Sequence, residues 1–509
     1  MQRLLLSLSV LLLLGATRPP SQVARLLAAD GAEVPGPVAV SGRVLVVAGS
    51  GLGHVFVEPD SGWAGDVVAV ATLRASGGAY LVSAAVSGGT AVLGAFMEDD
   101  FTGAAYVFVE PAGGWAGELR EAARLGASDP APWTLFGVDV AVADDVVVVA
   151  APDAEVEPGR HGAAYVYERP RRGWAGSLTE QAKLRPLNPQ LTSYEDGSFF
   201  HSVAMSGDAI FAAANYEGAH HGAVYVFGRP PAGWEGTHFE AARITSSDNR
   251  REDHFGQSIA ADGHTLAVVA KGYEREDEPA AAYVFSEPSG GWAAADVEQA
   301  RLYRADGHSF DDVAISRDTI VATAPQVEVS PTVRGALYAF SEPSQGWLGL
   351  LSEPALLLSE RISWSGPVVF GDRVASGGAV FELGFDADRD LLSDALEAKL
   401  GTDPSERDGD GDGIPDGSDP GWLAARVTSL PVRALRSPGS RRALLAGLEH
   451  AERRLAAADT KRAHGALDRL RLRLDGCEPA ADKNDWIVAC ATQREVRGLV
   501  DVLRENLDR

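Results

Sequence analysis

Three features of the sequence predict a mainly β chain built as a seven-bladed β-propeller. The phrase GAAYVFVEPAGGWAG at 103–117 returns as GHVFVEPDSGWAG (53–65), GAAYVYERPRRGWAG (162–176), GAVYVFGRPPAGWEG (222–236), AAAYVFSEPSGGWAA (280–294) and GALYAFSEPSQGWLG (335–349). Its tryptophans, Trp63, Trp115, Trp174, Trp234, Trp292 and Trp347, are spaced by 52, 59, 60, 58 and 55 residues, the period of a modular array. Each unit holds four short apolar or alternating runs divided by turn residues, the content of one propeller blade.

The chain of 509 residues begins with MQRLLLSLSVLLLLGATRPPSQ. Arg3 precedes an apolar run from Leu4 to about Ala16, the pattern of a signal peptide over 1–21 and too short for a mature membrane span. A secreted or cell-surface location follows as the expectation, with no transmembrane segment left after cleavage.

The repeat fills 22–384. An A-x-x-L run occurs seven times, from VARLL (23–27) through EAARLGA (121–127) to EPALLL (353–358). The YVF-like run also occurs seven times, ending at GGAVFELG (377–384), which no tryptophan follows. The chain therefore enters part-way through one blade and leaves part-way through another. Pairing VARLL beside GGAVFELG completes that blade and removes two sticky sheet edges. Gly and Ala suit the crowded inner strands, and Trp and Phe suit the gaps between blades.

Phe136-Gly137 followed by Ala150-Ala151-Pro152, Phe255-Gly256 in HFGQSIAADG, and the degenerate FFHSVAMSGD (199–208) and SFDDVAISRD (309–318) resemble FG-GAP repeats, known from the integrin alpha propeller and bacterial surface proteins. The resemblance implies seven blades and a role in adhesion. Such repeats often carry a D-x-D-x-D-G calcium loop. Here the corresponding loops, AFMEDDFTG (95–103), APDAEVEPGRHG (151–162) and ANYEGAHHG (214–222), lack alternating carboxylates, so calcium is not expected within the blades.

Cations are expected instead in the acidic linker FDADRDLLSDALEAKLGTDPSERDGDGDGIPDGSDP (385–420), which sets twelve acids against Arg389, Lys399 and Arg407. Calcium takes six to eight oxygens, and an EF-hand-like register supplies them from positions 1, 3, 5, 7, 9 and 12. Asp386, Asp388, Asp390, the Leu392 carbonyl, Asp394 and Glu397 fit that register, as do Asp408, Asp410, Asp412, the Ile414 carbonyl, Asp416 and Asp419. The phrase also resembles thrombospondin type 3 repeats, which implies a calcium-stiffened linker. The alternative is an acidic tether without bound metal.

Beyond Pro438 the apolar spacing turns helical, with Leu444, Leu445, Leu448, Leu455, Leu467, Leu470 and Leu474 mainly along one stripe. A small helical module over 421–509 is expected, with a last helix from about Thr492 to Leu507. Cys477 and Cys490 are the only cysteines, and in an exported chain one disulfide between them is the default.

The net charge of −26 disfavours nucleic-acid binding, because phosphates would be repelled. G-x-S-x-G, H-E-x-x-H and P-loop motifs are absent from the sequence, so no catalytic residue is assigned. His220-His221 and His254 read first as loop histidines and second as metal or acid–base groups. Asp99-Asp100 and Asp311-Asp312 read first as solvated acids. The expected function is a monomeric, non-enzymatic binding or adhesion scaffold for an extracellular protein or glycan. A secreted propeller hydrolase or lyase acting on polysaccharide is the alternative.

Overall fold

The computed structural model describes residues 21–49, 51–59, 62–78, 80–157, 160–187, 200–248, 252–272, 281–288, 291–295, 297–303, 309–317, 319–330, 333–342, 347–352, 355–358, 366–370 and 373–383, then 414, 419–430, 434–457, 459–474, 486–487, 496, 500 and 503. The chain divides into a unit spanning Pro20–Leu383 and a second that holds Gly384–Arg509.

Seven separate sheets, each with four antiparallel strands, make up the first unit, one per blade. In blade 2, for example, the order from the inside outwards is Ser83–Ser87, Thr90–Ala95, Ala104–Val109 and Ala123–Leu125. The seven inner strands pack on one another in a cycle, Val38–Ser41 against Ser83–Ser87 and onward until Val368–Phe370 returns to Val38–Ser41. Blade 7 is completed by the N-terminal strand Ser21–Leu27, whose Ala24 and Arg25 oppose Val380 and Ala379. The predicted closure is present.

The recurring tryptophan phrase does more than end a blade strand. In GAAYVFVEPAGGWAG the strand Ala104–Val109 stops at Pro111, and Gly114 N–H closes a turn on the Pro111 carbonyl at 2.9 Å. Gly117, at φ 67°, then starts a short strand that runs parallel to Ala71–Arg74 of the preceding blade. Five sheets gain a fifth strand in this way, among them Gly65–Val68 beside the N-terminal strand and Gly176–Leu178 beside Ala123–Leu125. Four strands per unit was therefore an undercount. The fifth is too short to show periodicity, and its partner lies in another repeat.

Each tryptophan is buried in the apolar layer between two blades. Trp115 lies with Val46, Val55 and Leu73 of blade 1 and Tyr106 and Phe108 of blade 2, and Trp174 fills the same place between blades 2 and 3. An aromatic side chain of this kind removes about 150–250 Å² from water, which at ~25 cal/mol/Å² stabilises by roughly 4–6 kcal/mol. Blade 7 carries no such tryptophan, and its third strand, Ala379–Glu382, receives the N-terminal strand.

The phenylalanines of the two Phe-Gly pairs, and those of the degenerate Phe200-His201 and Phe310-Asp311, pack against their own blades. Phe136, Phe200, Phe255 and Phe310 are all buried, and each meets a third-strand tyrosine edge-on, Tyr165, Tyr225, Tyr283 and Tyr338 respectively.

In the second unit the described helices are Gly421–Ser429, Pro438–Leu455 and Thr460–Arg471. Ser437 accepts the N–H of Ser440 and Asp459 that of Arg462, capping the last two. Leu444, Leu448, Leu467, Leu470 and Leu474 are buried as the stripe predicts, whereas Leu445 and Leu455 are only half-buried. The first helix opens the helical module expected over 421–509, although its nine residues show too little periodicity to mark it individually. Its Leu423 and Val427 complete the core. Cys477, Cys490, residues 1–20, where a signal peptide is expected, and most of 492–507 lie outside the described residues.

Candidate binding face at the channel mouth

One residue per blade takes the same place at the start of the inner strand: Pro37, Ser83, Asp139, Ser202, Ser258, Asp312 and Pro367. All seven line a depression of about 460 Å³ together with His201, Gln257, Lys271 and Asp311. A large side chain here would block the convergence of the blades, so the ring uses small or short polar groups that reach sideways. Asp139 accepts the N–H of Val140 at 2.9 Å and that of Val203, in blade 4, at 2.8 Å. Ser258 donates to Asp312 and accepts the N–H of Val313 at 3.3 Å, and Ser83 donates to the Gly137 carbonyl at 3.1 Å. At the far end of the inner strands, Ser41, Ser87 and Asp262 accept backbone N–H groups of Gly88, Asp144 and Arg317 in the next blade. Backbone groups that no sheet partner can reach are satisfied between blades.

Burial pushes the Asp139 carboxyl up to about 7, against the pull of its two backbone donors and the Ser202 hydroxyl; Asp312 adds repulsion. Burial likewise raises Asp312 to about 6, and His201 is pushed down to about 4. Asp311 is paired with Lys271 at 2.6 Å. The Asp311-Asp312 pair is thus built into the channel wall, contrary to the solvated reading of adjacent acids.

Loops between second and third strands, and between each outer strand and the next inner strand, emerge on this same face. They are where the blades differ most. Blades 3 and 6 extend the hairpins Val146–Glu157 with Arg160–Glu168 and Thr319–Ser330 with Val333–Ser341. In 151–162, expected as a loop, the described residues 151–157 and 160–162 continue these strands.

Blades 2 and 4 instead carry one short turn each, Glu98–Phe101 and Glu217–His220, the first left-handed at Asp99, Asp100 and Phe101 and the second at Gly218 and His220. The leading glutamate of each turn points back into the blade. Glu98 accepts from Tyr106 and Arg124, and Glu217 from Tyr225 at 2.8 Å and Arg243 at 3.1 Å. Asp99, largely exposed, contacts Arg124 at 3.4 Å. These acids are engaged in holding the turn.

Both turns pin the loop entering the following blade. Leu135 donates to the Phe101 carbonyl at 2.9 Å in one, and His254 to the His220 carbonyl at 2.9 Å in the other. In the first, Phe101 stacks flat on Trp133 with ring centroids 4.4 Å apart, and Trp133 is 63% exposed. In the second, His220 Nδ1 lies 2.6 Å from Glu252 Oε2 and its ring stacks on His254 at 4.8 Å. His254, expected in an exposed loop, is only 4% exposed; burial, with His220 and Lys271 nearby, pushes it down to about 4. Glu252 escaped the sequence reading because its partner is 32 residues away in the previous blade.

Of the residues proposed for calcium, Asp386, Asp388, Asp390, Leu392, Asp394, Glu397, Asp408, Asp410, Asp412 and Asp416 lie outside the described residues. Ile414 and Asp419 are buried, and Asp419 accepts the N–H of Gly421 at 2.8 Å, beginning the helix Gly421–Ser429.

Two spans, 119–167 and 239–285, run from an outer strand through a complete Phe-Gly pair to the third strand of the next blade. These spans match the FG-GAP repeat family. Where the FG-GAP pattern is degenerate, His201 and Asp311 replace the glycine and line the channel mouth instead. No curated protein matches the sequence. Among solved structures, the crystal structure of Kluyvelomyces marxianus Hsv2 aligns with a TM-score of 0.38 at 9% identity, covering 67% of this chain and 88% of that chain. No helix among the described residues is long and apolar enough to cross a membrane.

Proposed function

We propose that the chain is an exported, non-enzymatic binding or adhesion scaffold that docks an extracellular protein or glycan on the channel-mouth face. The observation that carries this reading is Trp133, exposed and stacked flat on Phe101, in the loop entering blade 3. Tyr80, Met97 and Tyr216 are further exposed apolar side chains on the same face. Exposed aromatic rings of this kind offer rigid stacking surface for sugar rings and anchor protein interfaces. The FG-GAP matches and the leader support export, and the acidic linker 385–420 is read as a calcium-binding segment of the same chain.

The test is a glycan and extracellular-protein array probed with the full chain and with Trp133→Ala. Capture that survives Trp133→Ala unchanged would remove this face as the docking surface.

A polysaccharide hydrolase or lyase is a second reading, favoured by the raised carboxyls of Asp139 and Asp312 in one depression. Against it, both Asp139 oxygens already accept backbone N–H groups. Product formation on the glycan array would favour this second reading, and binding without turnover the first.

A further inference from the structure

We propose that His220, Glu252 and His254 form a transition-metal site, best matched to Zn²⁺, on the rim between blades 4 and 5. Their ligand atoms all lie within 4.8 Å of one another. Two imidazoles and one carboxylate make a three-ligand zinc set that leaves a position open to water or to a group on a docking partner.

The internal repeat supplies a comparison that separates the backbone from the side chains. Phe101, Trp133 and Leu135 occupy the same three places between blades 2 and 3. Their φ values of 62°, 66° and 56° match 65°, 63° and 49° at His220, Glu252 and His254. The pinning hydrogen bonds correspond as well: Leu135 to Phe101 and Phe136 to Thr102 in one, His254 to His220 and Phe255 to His221 in the other. Parallel bridges join Gly103 to Phe136 and Gly222 to Phe255.

The left-handed backbone thus belongs to the turn-and-loop clasp and needs no metal. An apolar trio satisfies that clasp between blades 2 and 3. The two histidines also stack, with Tyr216 edge-on to both, but an apolar trio would supply such packing; two histidines and a glutamate in its place bring three metal-binding side chains from two sequence-distant segments to one point.

The geometry leaves room for loading. His220 and Glu252 remain partly exposed, at 28% and 44% of their side chains, so an ion can enter from solvent. Tetrahedral zinc with bonds of ~2.0–2.1 Å sets ligand atoms roughly 3.4 Å apart. The His220–Glu252 hydrogen bond at 2.6 Å would open slightly as zinc replaces the shared proton.

The experiment uses the full chain in excess calcium, which occupies oxygen-rich loops and leaves nitrogen ligands to the softer ion. Zn²⁺ is titrated calorimetrically into the wild type and into the triple variant His220→Phe, Glu252→Trp, His254→Leu. That variant installs the side chains the fold already accepts between blades 2 and 3. One saturable equivalent in the wild type, weakened about 100-fold or more in the variant, is expected. Co²⁺ substitution of the wild type alone should show ligand-field absorption of a histidine–carboxylate site, a readout that does not depend on the variant folding. Zinc binding of equal affinity in the triple variant, or no saturable binding and no such absorption in the folded wild type, would overturn the proposal.

Discussion

Asp139 in blade 3 accepts the backbone N–H of Val203 in blade 4 at 2.8 Å, so one carboxyl joins two inner strands at the channel mouth. Its pKa of about 7 stands above the ordinary 3.8, and the fold therefore favours the protonated form. The stability this group contributes is fully present below about pH 4 and is lost as pH rises to about 7. Asp312 acts in the same direction, while His201, lowered to about 4, contributes stability that is lost as pH falls below its usual range. Comparing wild type with Asp139→Asn isolates the carboxyl. Thermal melts across pH 4–7 should show a less negative slope in the variant, and parallel curves would refute the assignment.

Trp174 should act as a staple between blades 2 and 3. Trp174→Ala is expected to cost about 3–5 kcal/mol in denaturant titrations, because a large buried side chain leaves a cavity. Trp133→Ala, on an exposed ring, should cost far less. Similar losses for both would contradict the interblade role.

Deleting the N-terminal strand Ser21–Leu27 should free the edge at Ala379–Glu382 and the parallel strand Gly65–Val68 at once. Open edges recruit other chains. Light scattering should report larger species for the purified variant than for the wild type; an unchanged size would show that closure is dispensable.

The linker 385–420 is expected to bind calcium with saturable heat in the full chain. The triple change Asp408→Asn, Asp410→Asn, Asp412→Asn should abolish the contribution of the second loop, since hard calcium depends on charged oxygen ligands. Wild-type chain giving no saturable heat would leave the acidic tether as the correct description.

The sequence alone determined the number of blades and the closure, because apolar strands, turn residues and a counted repeat are local signals whose meaning does not depend on distant partners. It also marked the helical stripe through Leu444, Leu448, Leu467 and Leu470. The tertiary structure decided what the repeated tryptophan phrase does. Gly117–Arg120 pairs with Ala71–Arg74 across a blade boundary, and no periodicity within four residues can reveal a partner more than forty residues away. The same holds at the rim. His220 and His254 were visible as histidines, but Glu252 joins them only because the turn in blade 4 clasps the loop entering blade 5. Chemistry that depends on juxtaposition is written in the packing, whereas architecture that depends on repetition is written in the chain.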